Sequence, residues 1–176
     1  NPSTENYEVK CDFSEIKENG EYTVKVADEV SVPFAVGEDI YNHSVKSLMR
    51  FFYLQRCGTE LTKEFAGEYA HPSCHDTLAR IYGTDIFREV NGGWHDAGDY
   101  GRYIVAAAVT LAALFHAIEN DEILLKVDMQ IPESGQEMPD LLTEIRYELE
   151  WMLKMQDEAT GKVYHKVTCA GFCDFI

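Results

Sequence analysis

Hydrophobic and polar positions alternate near the start of the chain and then change period. The segments Tyr7-Glu-Val-Lys-Cys-Asp-Phe13, Tyr22-Thr-Val-Lys-Val26 and Val30-Ser-Val-Pro-Phe34 alternate with a period of two, and Asn19-Gly20 supplies a turn before the second. This pattern predicts half-buried strands. Three short strands cannot close a sandwich core alone, so the segment reads as the end of a β domain. Gly20-Glu-Tyr22 is either a tyrosine corner of the immunoglobulin type or a packed tyrosine. After Gly37, Tyr41, Val45, Leu48, Met49, Phe52 and Tyr53 recur at helical spacing, with Asp39 as N-cap and Gly58 as the stop. A second helix is expected from Tyr103 to Glu119. It is apolar on nearly every side and therefore expected to be buried between other helices. A third begins at Pro139-Asp140, carries Leu141, Leu142, Ile145, Leu149, Met152 and Leu153, and ends near Gln156. The stretch 58–102 between the first two helices lacks periodicity and is rich in Gly, His and Cys. A loop of that length is usually functional or disordered, and its aromatics argue against disorder.

Composition narrows the function. The chain has 176 residues, and 15 Lys+Arg against 31 Asp+Glu leave a net charge of −16. So acidic a surface excludes nucleic acid and an anionic membrane as partners. The longest apolar stretch, Tyr103 to Ile118, is interrupted by Thr110 and His116 and is too short to span a bilayer. The chain starts at Asn1 without a leader, which leads us to expect a processed or truncated piece.

Two constellations carry chemistry. Cys57, Cys74, His75 and His95 are two sulfur and two imidazole donors, a set suited to closed, tetrahedral, structural zinc. The alternative is a Cys57–Cys74 disulfide with incidental histidines. His71, beside Pro72, reads as a turn residue. The second constellation is Asn91-Gly-Gly-Trp-His-Asp-Ala-Gly-Asp-Tyr-Gly-Arg-Tyr103. Its glycines permit a tight path and close approach by a ligand. Asp96 and Asp99 can together hold and deprotonate a water, the general-base half of glycoside hydrolysis. Trp94 and Tyr103 offer flat faces for sugar rings. The alternatives are a calcium loop, for which oxygen ligands are too few, and Asp99 as cap of the following helix.

The run Gly92-Gly-Trp-His-Asp-Ala-Gly-Asp-Tyr100 resembles the signature of glycoside hydrolase family 9, which is largely cellulases. Phe51-Phe-Tyr-Leu-Gln-Arg56, Ala70-His-Pro-Ser-Cys-His75, Pro139-Asp-Leu-Leu-Thr-Glu144, Trp151-Met-Leu-Lys-Met-Gln156 and Val163-Tyr-His-Lys-Val-Thr168 resemble it in the same order. The likeness is strongest to the subgroup with an N-terminal immunoglobulin-like module. It implies a mainly α fold: residues 1–37 as the last strands of an immunoglobulin-like β-sandwich, and residues 38–176 as the N-terminal part of an (α/α)6 barrel. It further implies inverting endo-hydrolysis of β-1,4-glucosidic bonds in cellulose or related β-glucans. Asp99 matches the general base, and Asp96 the carboxylate that positions the attacking water. Cys57, Cys74, His75 and His95 match a structural zinc set, and His165 and Lys166 match a stretch lining the cleft. Calcium is common in the family, but its ligands are not identified in this stretch.

The chain departs from the family pattern in places. Ala106 stands where many relatives have proline, at no evident chemical cost. Thr168-Cys-Ala-Gly-Phe-Cys173 diverges from the usual continuation; Cys169 and Cys173 either bridge or pack, and no role is assigned to them or to Cys11. An inverting glycosidase also needs a general acid, with the carboxyls ~6.5–9.5 Å apart. In the family this Glu lies far beyond residue 176. The chain is therefore expected to be one fragment, held to a second polypeptide that carries the rest of the barrel and the acid Glu. A barrel opened in this way would expose the apolar faces of 103–119. The polymeric substrate implies a secreted or cell-surface enzyme. The rival reading is a non-catalytic, zinc-stabilised carbohydrate-binding or scaffold protein.

Overall fold

The structure is a computed structural model and describes residues 10–171. The chain divides into two compact units, Asn1–Ser44 and Val45–Ile176.

The first unit holds four short strands, β1 (Gly20–Tyr22), β2 (Lys25–Val26), β3 (Glu29–Val30) and β4 (Phe34–Val36). β1 pairs antiparallel with β4 in the register Tyr22↔Phe34, and β2 with β3 in the register Val26↔Glu29. The alternating runs Tyr22–Val26 and Val30–Phe34 are thus each shared between two ladders. The chain reverses at Ala27, which has φ 53°, and the Ser31 amide donates to the Val24 carbonyl at 2.9 Å where the two ladders meet. The Tyr22 hydroxyl donates to the Glu18 carbonyl, four residues upstream, at 3.0 Å. The strand expected over Tyr7–Phe13 lies partly outside the described residues. Its remainder carries no strand, because the Ser14 amide donates to the Asp12 carboxylate at 3.0 Å and turns the chain there.

The second unit is built on three long helices. α1 (Asn42–Leu54) starts at the end of the first unit and buries Met49 and Tyr53, one turn apart. Asp39 precedes α1 by a turn. Its carboxylate accepts the Asn42 side-chain amide at 2.8 Å and so does not cap a backbone N–H of the first turn. A one-turn helix α2 (Lys63–Ala66) and the hairpin β5 (Ala79–Arg80) with β6 (Phe87–Arg88) occupy the long irregular stretch. β7 (Arg102–Tyr103) leads directly into α3 (Ile104–Asn120), and α4 (Asp140–Lys154) precedes β8 (Lys166–Val167), which returns to pair with β7. The core joins Met49, Tyr53, Trp94 and Leu111 with Met129, Ile131, Leu141 and Ile145; a second cluster holds Val90, Trp151 and Met155.

α3 is apolar all round, yet only Leu111 is buried; Val105 and Val109 are 70% and 67% exposed. The expectation that α3 is enclosed by other helices fails within this chain, and the exposed apolar faces expected of an opened barrel are present. α3 packs on α4 and on the 3-10 turn Glu122–Lys126; Ile104, Ala107, Leu114 and Ile118 are half-buried against the two clusters, while Val105, Val109 and Phe115 face solvent. No helix among the described residues is long and apolar enough to cross a membrane.

Candidate active site and metal centre

The end of α1 and the glycine-rich loop lie side by side. The Cys57 amide donates to the Gly93 carbonyl at 2.8 Å, the His95 amide donates to the Gln55 carbonyl at 2.8 Å, and Arg56 faces Trp94 in an antiparallel bridge. This short ladder sets Cys57 opposite Gly93 and Gln55 opposite His95, so Cys57 and His95 come to diagonal positions across it. Gly93 has φ +76°, and a Cβ there would stand 2.6 Å from the Trp151 ring, so the backbone approaches the indole too closely for any side chain.

Cys74 and His75 complete the group. The ligand atoms of Cys57, Cys74, His75 and His95 all lie within 4.8 Å of one another. The separations are 3.9 Å for Cys74 Sγ–Cys57 Sγ, 3.5 Å for Cys57 Sγ–His75 Nδ1 and 3.5 Å for Cys74 Sγ–His95 Nε2. A zinc tetrahedron with ordinary bond lengths has edges of about 3.8 Å between sulfurs and about 3.6 Å between sulfur and nitrogen. The donors are therefore arranged to receive a metal, and Cys57 and Cys74 are free thiols rather than a disulfide. His75 reaches its place with φ 56°, a left-handed conformation that a non-glycine residue rarely adopts. His71 stands apart, with Nδ1 2.7 Å from the Pro72 carbonyl. Burial pushes the Cys57 thiol up to about 12, against the pull of Arg102, and pushes His95 down to about 4, helped by the neighbouring His75.

The two acidic residues of the signature open on different recesses. Asp96 lines one with Phe51, Gln55, Trp94, Thr110 and Glu148. Asp99 lines the other with Lys166, Thr168 and Cys169, and Tyr103 is common to both. The Gly101 amide donates to Asp99 Oδ1 at 3.3 Å and the Tyr103 hydroxyl donates to Oδ2 at 3.0 Å. Lys166 is the register partner of Tyr103. His165 is exposed and lines neither recess; its carbonyl accepts the Ile104 amide at 3.0 Å. Cys169 is disulfide-bonded, and Cys173 lies outside the described residues.

Trp94 corrects one expectation. It is only 7% exposed, its ring lies 4.8 Å from that of Phe52, and its Nε1 donates to Glu144 at 3.4 Å. It is a wall of the Asp96 recess and not an open platform for a sugar ring.

Below the loop lies a buried charged layer that the sequence reading did not assign. Glu148 Oε2 accepts the Trp94 amide at 2.6 Å, and burial pushes its carboxyl up to about 7 against the opposing pull of that N–H and of Arg102. Arg56 Nη2 meets Glu144 at 2.7 Å and Nη1 meets Glu133 at 2.9 Å, between the rings of Tyr53 and Tyr147. Burial also raises the Glu144 carboxyl, with Arg56 opposing it. Arg102 Nη1 donates to the carbonyls of Val90 at 2.6 Å and Gly92 at 2.5 Å. The available signal was positional: Glu144 and Glu148 fall on the same helical stripe as Leu141, Ile145 and Trp151.

The profile of glycosyl hydrolase family 9 matches residues 41–171. The chain belongs to this family. It is 43% identical over 170 residues to a cellodextrinase of Butyrivibrio fibrisolvens, covering 94% of this chain and 31% of the relative. A single-mutant thermostable endoglucanase from Alicyclobacillus acidocaldarius superposes with TM-score 0.84 at 37% identity, over 93% of this chain and 31% of that one. A Zn-binding triple mutant of a family 9 endoglucanase superposes with TM-score 0.77 at 37% identity, over 89% of this chain and 31% of that one. The family 9 chain described here thus spans about a third of the length of these relatives. The family resemblance of the sequence motifs is borne out.

Proposed function

We propose that this chain supplies the general-base half of an inverting β-1,4-glucanase acting on cellulose or related β-glucans. The observation that carries the reading is the Asp99 carboxylate: it lines an open recess, and each of its oxygens is held by a donor from the same loop. In this reading Asp99 takes a proton from water as the water attacks the anomeric carbon, and Asp96 helps to orient that water. Tyr103 and Lys166 border the path of the sugar chain. His165 and Trp94 contribute backbone and wall rather than an open sugar-binding face. The general acid is a Glu supplied by polypeptide outside these 176 residues, which would also cover the exposed side of α3.

In the same reading residues 1–37 are the last strands of an immunoglobulin-like sandwich, supported by the reach of the Tyr22 hydroxyl back to Glu18, as in a tyrosine corner. Residues 38–176 are then the first part of an (α/α)6 barrel, supported by structural likeness to family 9 endoglucanases. Cys57, Cys74, His75 and His95 would hold a structural zinc. All four positions are filled by protein groups, so the metal would have no open coordination position and would serve only to fix the loop that presents Asp96. A polymeric substrate places the enzyme outside the cell or at its surface. In the complete enzyme, Asp99→Ala should lower glucan hydrolysis by roughly 10²–10⁴-fold. Unchanged hydrolysis would remove Asp99 from the mechanism and favour a carbohydrate-binding role.

A further inference from the structure

We infer that Tyr103 is a positioning residue that fixes the Asp99 carboxylate through its hydroxyl, and that sugar stacking is not its main task. The inference rests on the reading of Asp99 as the general base. A free carboxylate at a loop rotates about its side-chain torsions, and only some rotamers aim a lone pair at an incoming water. Here both oxygens are taken: Oδ1 by the Gly101 amide at 3.3 Å and Oδ2 by the Tyr103 hydroxyl at 3.0 Å. Each oxygen keeps a further lone pair for the recess.

The chain spends several special features on this contact. Tyr100 turns through φ 53°, which sends residue 101 back past Asp99. Gly101 has no side chain, and a Cβ there would stand 2.7 Å from Tyr103 Cε2 and 2.7 Å from its hydroxyl oxygen, so the phenol can fold over it. Arg102 is buried and clamped to the carbonyls of Val90 and Gly92, which sets the backbone that carries Tyr103. Pairing of β7 with β8 holds the tyrosine from the other side, in register with Lys166. The phenol also forms part of both recesses, the one with Asp96 and the one with Asp99. It therefore borders the recess of each acid while its hydroxyl holds Asp99.

The test is steady-state hydrolysis of a soluble β-glucan oligosaccharide by the complete enzyme, with Tyr103→Phe, Asp99→Ala and the double variant. Tyr103→Phe keeps the ring and its packing. Loss of one hydrogen bond to a charged group should lower kcat about tenfold, with KM within about twofold and the melting temperature unchanged. Because the hydroxyl acts through Asp99, adding Tyr103→Phe to Asp99→Ala should cost nothing more. An unaltered kcat in Tyr103→Phe beside a crippled Asp99→Ala overturns the positioning role alone. A further tenfold loss on the Asp99→Ala background also overturns it, since the hydroxyl would then act independently. A raised KM with unchanged kcat assigns the hydroxyl to sugar binding instead. Full activity of Asp99→Ala overturns the base reading and this inference with it.

Discussion

Glu148 offers the sharpest test of the buried layer. Its carboxylate accepts the Trp94 amide at 2.6 Å, and burial raises its pKa from 4.5 to about 7. An acid whose pKa rises on folding is neutral in both states below pH 4.5, and there the native state carries no penalty. Between pH 4.5 and about 7 the unfolded carboxyl ionises first, and stability is lost. Above about 7 both states are ionised and the loss is complete. At 1.36 kcal/mol per unit the full loss is on the order of 3 kcal/mol. Glu148→Gln keeps an oxygen to accept the Trp94 N–H but cannot ionise. In the complete, metal-loaded protein, urea unfolding at a series of pH values should give equal stability for variant and wild type at pH 4. The variant should be the more stable by up to about 3 kcal/mol at pH 8. Charges elsewhere titrate equally in both proteins and cancel in the difference. Parallel curves from pH 4 to pH 8 would show that Glu148 has the same pKa folded and unfolded, and the reasoning from burial would be wrong.

Two further outcomes follow from the metal group and the loop beneath it. Burial holds Cys57 protonated up to about 12 and keeps His95 neutral down to about 4, so loading zinc near pH 7 must release a proton from Cys57 but none from His95. Zinc affinity should then rise at least about tenfold per pH unit between pH 6 and 8, and Cys74→Ser should abolish one-to-one loading measured by elemental analysis. A flat pH dependence would contradict the thiol donors. Gly93→Ala combines a φ of +76° with a Cβ 2.6 Å from the Trp151 ring. It should cost at least about 2 kcal/mol in thermal unfolding and loosen the metal group, because Gly93 accepts the Cys57 amide.

The three long helices were legible, α1 and α4 from a clear period with a marked end, Gly58 after α1 and Asp140 opening α4, and α3 from a nearly unbroken apolar run. Residue type singled out Cys57, Cys74, His75 and His95 but left a Cys57–Cys74 disulfide open, and only the family resemblance and the separations between the free thiols and the imidazoles favour a metal group. The buried acids of α4 were not. A glutamate on an apolar stripe reads as a break in the stripe unless its partner is known, and Arg56 and the Trp94 amide lie 88 and 54 residues away in sequence. The strand pairing was hidden for a similar reason: alternation shows which positions share a face but not which run they pair with. The exposure of Trp94 was misjudged because flatness is a property of the residue, whereas access depends on Phe52 and Glu144.

The ladder between residues 55–57 and 93–95 has an evolutionary consequence. With Cys74 and His75 gathered at its edge, the intervening chain becomes two closed loops, each anchored at both ends. Lengthening either loop adds little closure entropy, which grows only logarithmically with length. The hairpin of β5 and β6, with Tyr82 89% exposed at its tip, can therefore drift, grow or acquire new contacts while Asp96, directly after His95, keeps its place. Such a hairpin is where descendants of one ancestor would be free to diversify their contacts without disturbing the loop that carries Asp96.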